Sequence, residues 1–358
     1  MSPEEQPAPA PDETPVAEVE RESVALTHRL RDPRTIVSIA LPVAIIVLVV
    51  GSLPGFHLDE MVKLVLGAQP LLLVGAFAIY YAGFPLRGYR WALLLRSTGF
   101  HIGVRDSTEI IFISWLVNCL VPAKLGDVYR AYLLRLNYAT SLSRTFGTVF
   151  IERVFDLFAI AILGLIAGFW SFRSGLHPAV QFVLGLGVVV VLVLAVGLFT
   201  LRNFGRRVIV RLPGRARLLE LYDRFEEGVF ALPVRRIPEL AAITVAIWMT
   251  EALRLFLVIS ALSFTDLHLG LSGTLFVALA ASLLTAVPLT PGGLGIVEAG
   301  IVGILTAIYG VPLVEATAIA LVDRAISVLS IIVLGGVVYL LSPKTKRAAD
   351  RAVAPTPP

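Results

Sequence analysis

Residues 287–300 read VPLTPGGLGIVEAG and lie between two long apolar segments. Pro288 and Pro291 interrupt any helix that runs through this stretch, and the glycines that follow allow backbone reversals that other residues resist. Glu298 adds a carboxylate one turn further on. We therefore predict the tip of a re-entrant hairpin, in which two half-helices enter a membrane and return to the same side.

The composition predicts an integral membrane protein. Of the 358 residues, 57% are hydrophobic and 16% are charged, and the mean hydropathy is +0.84. A soluble domain is about half apolar and about a quarter charged. Because several apolar runs approach the roughly 20 residues that a spanning helix needs, we predict an all-α polytopic fold.

The apolar runs divide the chain into spans and interrupted pairs. Six candidate spans are 35–52, 69–95, 146–170, 179–201, 238–262 and 313–341. Two further pairs are interrupted by proline and glycine: 107–121 with 122–138, and 272–288 with 292–309. We expect residues 1–34 to be a disordered tail, residues 35–342 to be the membrane domain and residues 343–358 to be a second tail.

The basic residues predict the orientation. Segment 202–237 carries nine arginines, whereas loop 53–68 carries one lysine. The positive-inside rule then places both termini in the cytoplasm of a cell-membrane protein, with 216–232 as an amphipathic helix on the inner surface. This orientation is consistent along the whole chain only if each interrupted pair returns to the side of the membrane from which it entered. Two short full spans would also return to that side, but we favour re-entrant half-helices.

An internal repeat supports this scheme. Three pairs of positions match in the same order and at nearly constant separations: Pro122 with Pro291, Arg153 with Arg324, and Arg90 with Arg254. The repeat units would be 69–170 and 238–341, with 179–201 as the linking span that inverts the second unit. The predicted hairpin-forming residues are Pro122, Gly126, Pro288 and Pro291.

Charged residues within the apolar segments are the candidate site. A central charge costs about 3 kcal/mol on insertion scales, so these groups must pair or face water. One interpretation is a route for a lipid head group, with Lys124 and Arg130 receiving phosphate and Glu298 at the outer mouth. The other is a set of static ion pairs. The candidate substrate-binding residues are Lys124, Asp127, Arg130, Glu152, Arg153, Asp156, Glu251, Arg254, Gly292, Gly293, Gly295, Glu298, Asp323 and Arg324.

We expect Arg87 and Arg90, with Trp91, to form an interfacial anchor.

Other features point away from soluble enzyme chemistry. The single cysteine, Cys119, excludes an intrachain disulfide, and the five histidines are scattered, so we expect no metal site, no catalytic residues and no cofactor. No P-loop follows the glycines, and nothing indicates binding of nucleic acid.

Three motifs resemble a known family. PAKLGDVYRAYLL, ERVFD and PLTPGGLGIVEAG, in this order, resemble the flippase-like transmembrane region of the lysylphosphatidylglycerol synthases. The resemblance covers about residues 35–342 and implies lipid translocation without the aminoacyl-transferase domain of the full-length synthases. The positions that match its motifs are Pro122, Lys124, Gly126, Asp127, Arg130, Glu152, Arg153, Pro291, Gly292, Gly293, Gly295 and Glu298.

The functional prediction is movement of a phospholipid or polyprenyl-linked lipid across the cytoplasmic membrane. The expected partners are membrane lipids, with envelope or lipid-synthesis enzymes as further candidates. Two alternatives stay open: a membrane-embedded transferase that uses Asp127 or Asp156 as acid or base, and a scaffold for envelope synthesis. The sequence leaves the lipid, the direction, the energy source and the oligomeric state open.

Overall fold

The computed structural model describes residues 58–121, 124–172, 178–210, 215–262, 269–284 and 290–346. The predicted tail 1–34, the span 35–52, Pro122 and Pro288 lie outside these ranges, as do residues 347–358. Every regular element in the described ranges is helical, and none is a strand. The principal helices are α1 (Leu58–Leu66), α2 (Pro70–Ser97), α3 (Val104–Leu120), α4 (Leu125–Tyr138), α5 (Leu142–Ser171), α6 (Pro178–Ile209), α7 (Arg215–Phe230), α8 (Ile237–Ala261), α9 (Gly270–Leu284), α10 (Ile296–Tyr309), α11 (Leu313–Arg324) and α12 (Ser330–Leu341).

The all-α polytopic fold is confirmed. Within the described ranges, five stretches are long and apolar enough to cross a membrane: Pro70–Ser97, Leu184–Arg202, Val234–Ala261, Pro291–Tyr309 and Leu313–Leu341. The fourth reaches this length only by including the 3₁₀ turn Pro291–Gly293, where Gly292 has φ 59°. Its continuous α-helix is the 14-residue α10, which is about 21 Å long and shorter than a bilayer core of about 30 Å.

Helices α3 and α4 form the first interrupted pair. Phe100, just before α3, packs on Tyr138 at the end of α4 with ring centroids 5.7 Å apart, so the two open ends lie together. At the other end the Ser114 hydroxyl donates to the Gly126 carbonyl at 2.7 Å, and the Gly126 N–H donates to Asn118 at 2.9 Å. Gly126 is required here because a Cβ would lie 2.0 Å from the Ser114 carbonyl oxygen.

Helices α9 and α10 form the second interrupted pair. A Cβ on Gly273, early in α9, would lie 3.2 Å from the hydroxyl of Tyr309 at the end of α10. Tyr309 also lies 3.3 Å from the Ser171 hydroxyl at the C-terminus of α5, whereas the open end of α3 and α4 lies near the N-terminus of α5. The two pairs therefore open at opposite ends of α5.

The tips of the two pairs meet inside the protein. A Cβ on Gly292 would lie 3.5 Å from the Cα of Cys119, the penultimate residue of α3. That these tips stop within the bilayer stays a prediction.

The helices of the two halves correspond in length and capping. α4 and α10 each have 14 residues, follow a residue with positive φ, Lys124 (53°) or Gly295 (87°), and end at a left-handed cap, Ala139 or Gly310. α2 and α8 pack along each other in antiparallel directions, since the N–H of Gln69 donates to Ala261 at 2.8 Å and Tyr89 donates to Glu239 at 2.8 Å. These correspondences agree with the predicted repeat, whose inversion relative to the membrane stays a prediction.

Two peripheral segments pack against this frame. The helix in the predicted amphipathic segment, α7, lies on the first half of α5, where a Cβ on Gly147 would be 2.9 Å from the Cα of Gly228. Beyond α12, the Lys344 ammonium lies 2.9 Å from Asp106 and 2.5 Å from Glu109. These ion pairs attach the segment after α12 to the first turns of α3.

Candidate functional site

A cavity of about 190 Å³ lies where the tips of the two pairs meet. Both halves of the chain line it, and its wall combines apolar and aromatic groups with many charges. The charged residues on the wall are Arg87, Lys124, Arg153, Asp156, Glu251, Arg254, Asp323 and Arg324. The volume has room for several water molecules or a small polar group.

These residues belong to a larger set that we call the charged network. The network contains seven basic residues, which are Arg87, Arg90, Lys124, Arg130, Arg153, Arg254 and Arg324. It contains six acidic residues, which are Asp127, Glu152, Asp156, Glu251, Glu298 and Asp323. Except for Lys124 and Arg153, their side chains are almost entirely buried.

The first half of the network surrounds Arg90 on α2. Its guanidinium donates to both oxygens of Asp156, at 2.6 and 3.1 Å, and lies 3.0 Å from Glu152. Glu152 also accepts hydrogen bonds from Arg130 at 3.2 Å. Because Glu152 and Asp156 are one turn apart on α5, both face the same guanidinium. The charges therefore compensate one another inside the protein.

Arg153 ties α4 to α5. Its Nε and Nη2 donate to the two oxygens of Asp127, at 2.8 and 2.7 Å, in the bidentate geometry that guanidinium and carboxylate prefer. Its Nη1 donates to Asp156 at 3.3 Å. Since Asp127 lies in the first turn of α4, these bonds hold the tip of the first pair against α5.

Arg324 ties the second pair in the same way. It donates to Glu298 at 2.9 Å and to the carbonyl of Gly292. Glu298 also accepts a hydrogen bond from the backbone N–H of Gly295 at 2.7 Å, which gives an N–H group at the start of α10 a partner. Each arginine follows its carboxylate by 26 residues, as Arg153 follows Asp127. The contact between a carboxylate near the tip and an arginine 26 residues later thus occurs in both halves, as do the corresponding helices.

The two halves meet at α2 and α8. Arg87 on α2 donates to Glu251 on α8 at 2.5 Å. Arg254 donates to Glu251 and also to both oxygens of Asp323, at 2.8 and 3.0 Å. A π-helical turn, Ala325–Leu329, follows Arg324 directly and interrupts the α-helix beside this cluster. Such turns are frequent at functional sites.

The predicted interfacial anchor at Arg87, Arg90 and Trp91 is wrong. These side chains are 0–5% exposed and lie inside the bundle, with both arginines held by carboxylates of other helices. Both arginines belong to the charged network, whereas the sequence led us to place them at the membrane surface. The internal repeat could have indicated their burial, because the match of Arg90 with Arg254 also aligns Arg87 with Glu251. Arg254 and Glu251 are buried charges that the sequence did single out.

The other predicted site residues divide by their access to the cavity. Lys124, Arg153, Asp156, Gly292 and Gly293 line it together with Glu251, Arg254, Asp323 and Arg324. Arg130, Glu152, Asp127, Glu298 and Gly295 are not on its wall and act through the residues that they contact. Arg130, 1% exposed, lies over the ring of Trp91 with its guanidinium carbon 4.8 Å from the centroid.

Polar atoms with unused hydrogen-bonding capacity also face this region. Arg87 Nη1, Thr290 Oγ1 and Ser327 Oγ are buried and make no hydrogen bond within the described ranges, and all three residues line the cavity. Buried polar atoms are normally bonded, so these atoms are available to water or to a ligand. The site therefore offers donors and fixed charges in a shielded cavity, which is suited to binding a polar group.

Comparison with known proteins agrees with this architecture. Residues 36–335 match the family described as the lysylphosphatidylglycerol synthase TM region. A UPF0104 membrane protein of Methanocaldococcus jannaschii is 35% identical over 225 residues, 63% of this chain and 93% of the relative. A UPF0104 membrane protein of Methanothermobacter thermautotrophicus is 26% identical over 333 residues, which cover 86% of this chain and 95% of the relative.

A further relative carries an enzyme name. Glycosyltransferase AglD of Haloferax volcanii is 28% identical over 323 residues, which cover 79% of this chain and 51% of AglD. This chain thus matches about half of AglD. Because the family match covers most of the sequence and nearly all the described helices, the chain belongs to the lysylphosphatidylglycerol synthase transmembrane region family.

Proposed function

We propose that this membrane protein moves a phospholipid or polyprenyl-linked lipid between the leaflets of the cytoplasmic membrane. The observation that carries the proposal is the charged cavity at the junction of two interrupted helix pairs that open at opposite ends of α5. A lipid head group needs polar surroundings at the bilayer centre, where each unpaired charge costs about 3 kcal/mol. Paired arginines and carboxylates supply those surroundings.

In the proposed mechanism the head group enters the cavity while the acyl or prenyl chains stay in the lipid. Its phosphate shares the cavity arginines with their carboxylates, so that neither an arginine nor a carboxylate is left unpaired during the passage. Arg153 and Arg324 are placed for this contact, since each lines the cavity and also holds the tip of one pair. Release of either tip would open the cavity toward one side.

The orientation is part of the proposal. The end of the molecule that carries α7 also carries Arg144, Arg206 and Arg236, whereas the opposite end carries Lys63 close to Asp59. The positive-inside rule places the arginine-rich end and both termini in the cytoplasm. The first pair then opens toward the cytoplasm and the second toward the outside.

A scrambling assay in reconstituted vesicles tests the function. Ser282 lies half-buried on the cavity wall, so Ser282→Phe should obstruct the cavity and slow lipid exchange about tenfold or more compared with the unsubstituted protein. Gly303→Phe is the matched control, because a Cβ at this exposed position on α10 meets no atom of the described residues within 4 Å. Equal rates for the obstructed protein, the control and protein-free vesicles would reject translocation.

A membrane-embedded transferase is the second candidate, and the similarity to AglD favours it. Its acid or base would be Asp127 or Asp156. Both carboxylates already accept bonds from arginines, and protonation would break those bonds, which argues against either residue as a base. Transfer of sugar by the purified protein, supplied with activated sugar and a polyprenyl phosphate, would favour this candidate over translocation.

A further inference from the structure

Lys124 is the one basic residue of the charged network without a carboxylate partner in the described ranges. Each of the six arginines lies within 4.0 Å of at least one acidic oxygen of the network, and each carboxylate is held by at least one arginine. Among the described residues Lys124 makes no such pair, and it lines the cavity. With seven basic and six acidic residues, the network carries one excess positive charge, and Lys124 accounts for it.

The backbone at Lys124 is unusual. Its φ of 53° and ψ of 36° are left-handed, a conformation that residues with a Cβ adopt with strain. The residue directly before α10 in the second half is Gly295, which also has positive φ and, without a Cβ, adopts it without that strain. A lysine in this place is therefore not explained by the fold, since glycine would form the same turn more easily. Strain of this kind is concentrated at functional sites.

Other groups on the same wall have unused donors. Arg87, 5% exposed, has Nη1 without a hydrogen-bond partner in the described part of the chain, and Ser327, 6% exposed, has a free hydroxyl there. Phosphate oxygens accept hydrogen bonds and carry negative charge, so they match these donors and the ammonium of Lys124. No unpaired carboxylate is available on the described part of this wall to receive a positively charged amine.

We propose that the cavity selects a ligand with a phosphate and one net negative charge, and that Lys124 is the residue that balances this charge. The inference rests on the proposed function and narrows its substrate to anionic lipids, such as phosphatidylglycerol or a sugar on polyprenyl phosphate. Zwitterionic lipids bind less well, because their amine finds only carboxylates that arginines already hold.

A binding experiment that does not depend on transport tests this inference. The purified protein is placed in nanodiscs of phosphatidylcholine with a small fraction of phosphatidylglycerol, and retained lipid is measured by native mass spectrometry. We expect the protein to retain phosphatidylglycerol preferentially and Lys124→Gly to reduce this retention about tenfold, the value of one charge-assisted contact. Lys124→Arg should keep most of it.

The controls separate binding from folding. Lys63→Gln removes an exposed lysine on α1 and should leave retention unchanged. Because glycine suits the left-handed backbone at 124, Lys124→Gly should unfold at the same temperature as the unsubstituted protein or higher, and Lys124→Gln provides a second variant. Equal retention of both lipids, or a loss in Lys124→Gly no larger than in Lys63→Gln, would overturn the inference.

Two further measurements distinguish a lipid phosphate from a soluble phosphate ion, and distinguish failure of this inference from failure of the proposed function. Inorganic phosphate is titrated into discs that contain phosphatidylcholine alone; Lys124-dependent binding of phosphate without enrichment of anionic lipid would assign the site to a soluble ion and reject the lipid. Selective retention without scrambling would reject the proposed function and leave the inference standing. Scrambling of anionic and zwitterionic lipids at equal rates would reject the inference alone.

Discussion

At the scale of single residues, the network depends on arginine more than on charge in general. Arg90, Arg153 and Arg254 each contact two carboxylates. A guanidinium has five donors in a rigid plane and remains protonated when buried, which suits it to this role better than an ammonium. Lys124 is the exception, because it is an ammonium among guanidiniums and has no acidic partner in the described ranges.

The pair Asp127 and Arg153 provides a test of this interdependence. Asp127→Asn leaves the guanidinium without its bidentate partner and should lower the free energy of unfolding by about 3–5 kcal/mol. The double variant Asp127→Asn, Arg153→Met removes both charges and should lose less than Asp127→Asn alone. Unfolding in mild detergent, followed through the complete double-mutant cycle, measures the coupling.

An exposed pair serves as the control. Glu220 and Arg224 on α7 lie 2.5 Å apart with about half of each side chain exposed. Glu220→Gln should cost less than about 1 kcal/mol because water screens that pair. If Asp127→Asn costs no more stability than Glu220→Gln, the buried network does not stabilise the tips.

At the scale of helices, close approach at glycine shapes the first pair. α3 and α4 cross where Gly126 meets Ser114 and Asn118, and this contact allows the chain to reverse. In the second pair the reversal instead uses left-handed glycines, Gly292 and Gly293. The two tips thus achieve a similar result by different local means.

Gly126→Ala should therefore be strongly destabilising. Its Cβ would lie 2.0 Å from a backbone oxygen, which cannot move without separating α3 from α4, and we expect a loss of about 3 kcal/mol. Gly303→Ala lies in a helix, with no atom in the described part of the chain within 4 Å of the new Cβ, and should be neutral or stabilising by up to about 1 kcal/mol. Similar unfolding temperatures for the two variants would contradict this packing.

At the scale of the whole molecule, the two halves enclose one cavity and share its charges. The ion pair of Arg87 with Glu251 links equivalent positions of α2 and α8, and the tips of the two interrupted pairs touch beside it. If lipid passes through the cavity, these tips have to separate on one side at a time. A covalent link between them should then stop transport without unfolding the protein.

Cys119, the sole cysteine in the chain, makes this test direct. Its Sγ lies 3.8 Å from the position of a Cβ on Gly292, so Gly292→Cys should form a disulfide when oxidised, at the cost of some backbone strain from its φ of 59°. We expect oxidation to abolish scrambling and a reductant to restore it. Gly303→Cys should not crosslink, and full activity of the crosslinked protein would show that the tips need not move apart.

The sequence by itself determined the helical membrane architecture and the positions of its interruptions. Apolar run length is a local property, so the spans near 69–95, 238–262 and 313–341 correspond closely to α2, α8 and the helices from Leu313 to Leu341. Proline and glycine act on the backbone where they stand, which is why the break at 291–295 was predictable. The spacing of charges also predicted the pairs Arg153 with Asp156 and Glu251 with Arg254.

Only the tertiary structure decided which charges meet across the bundle and which face the cavity. Arg87 and Glu251 lie on different helices, far apart in the chain, and no local pattern distinguishes a buried arginine from one at the membrane surface. The burial of Arg130 and Glu298, and the absence of an acidic partner for Lys124 among the described residues, follow from how α2, α5 and α8 pack around the two tips. Long-range pairing depends on the positions of whole helices, because the same side chain can be exposed or paired according to what packs against it.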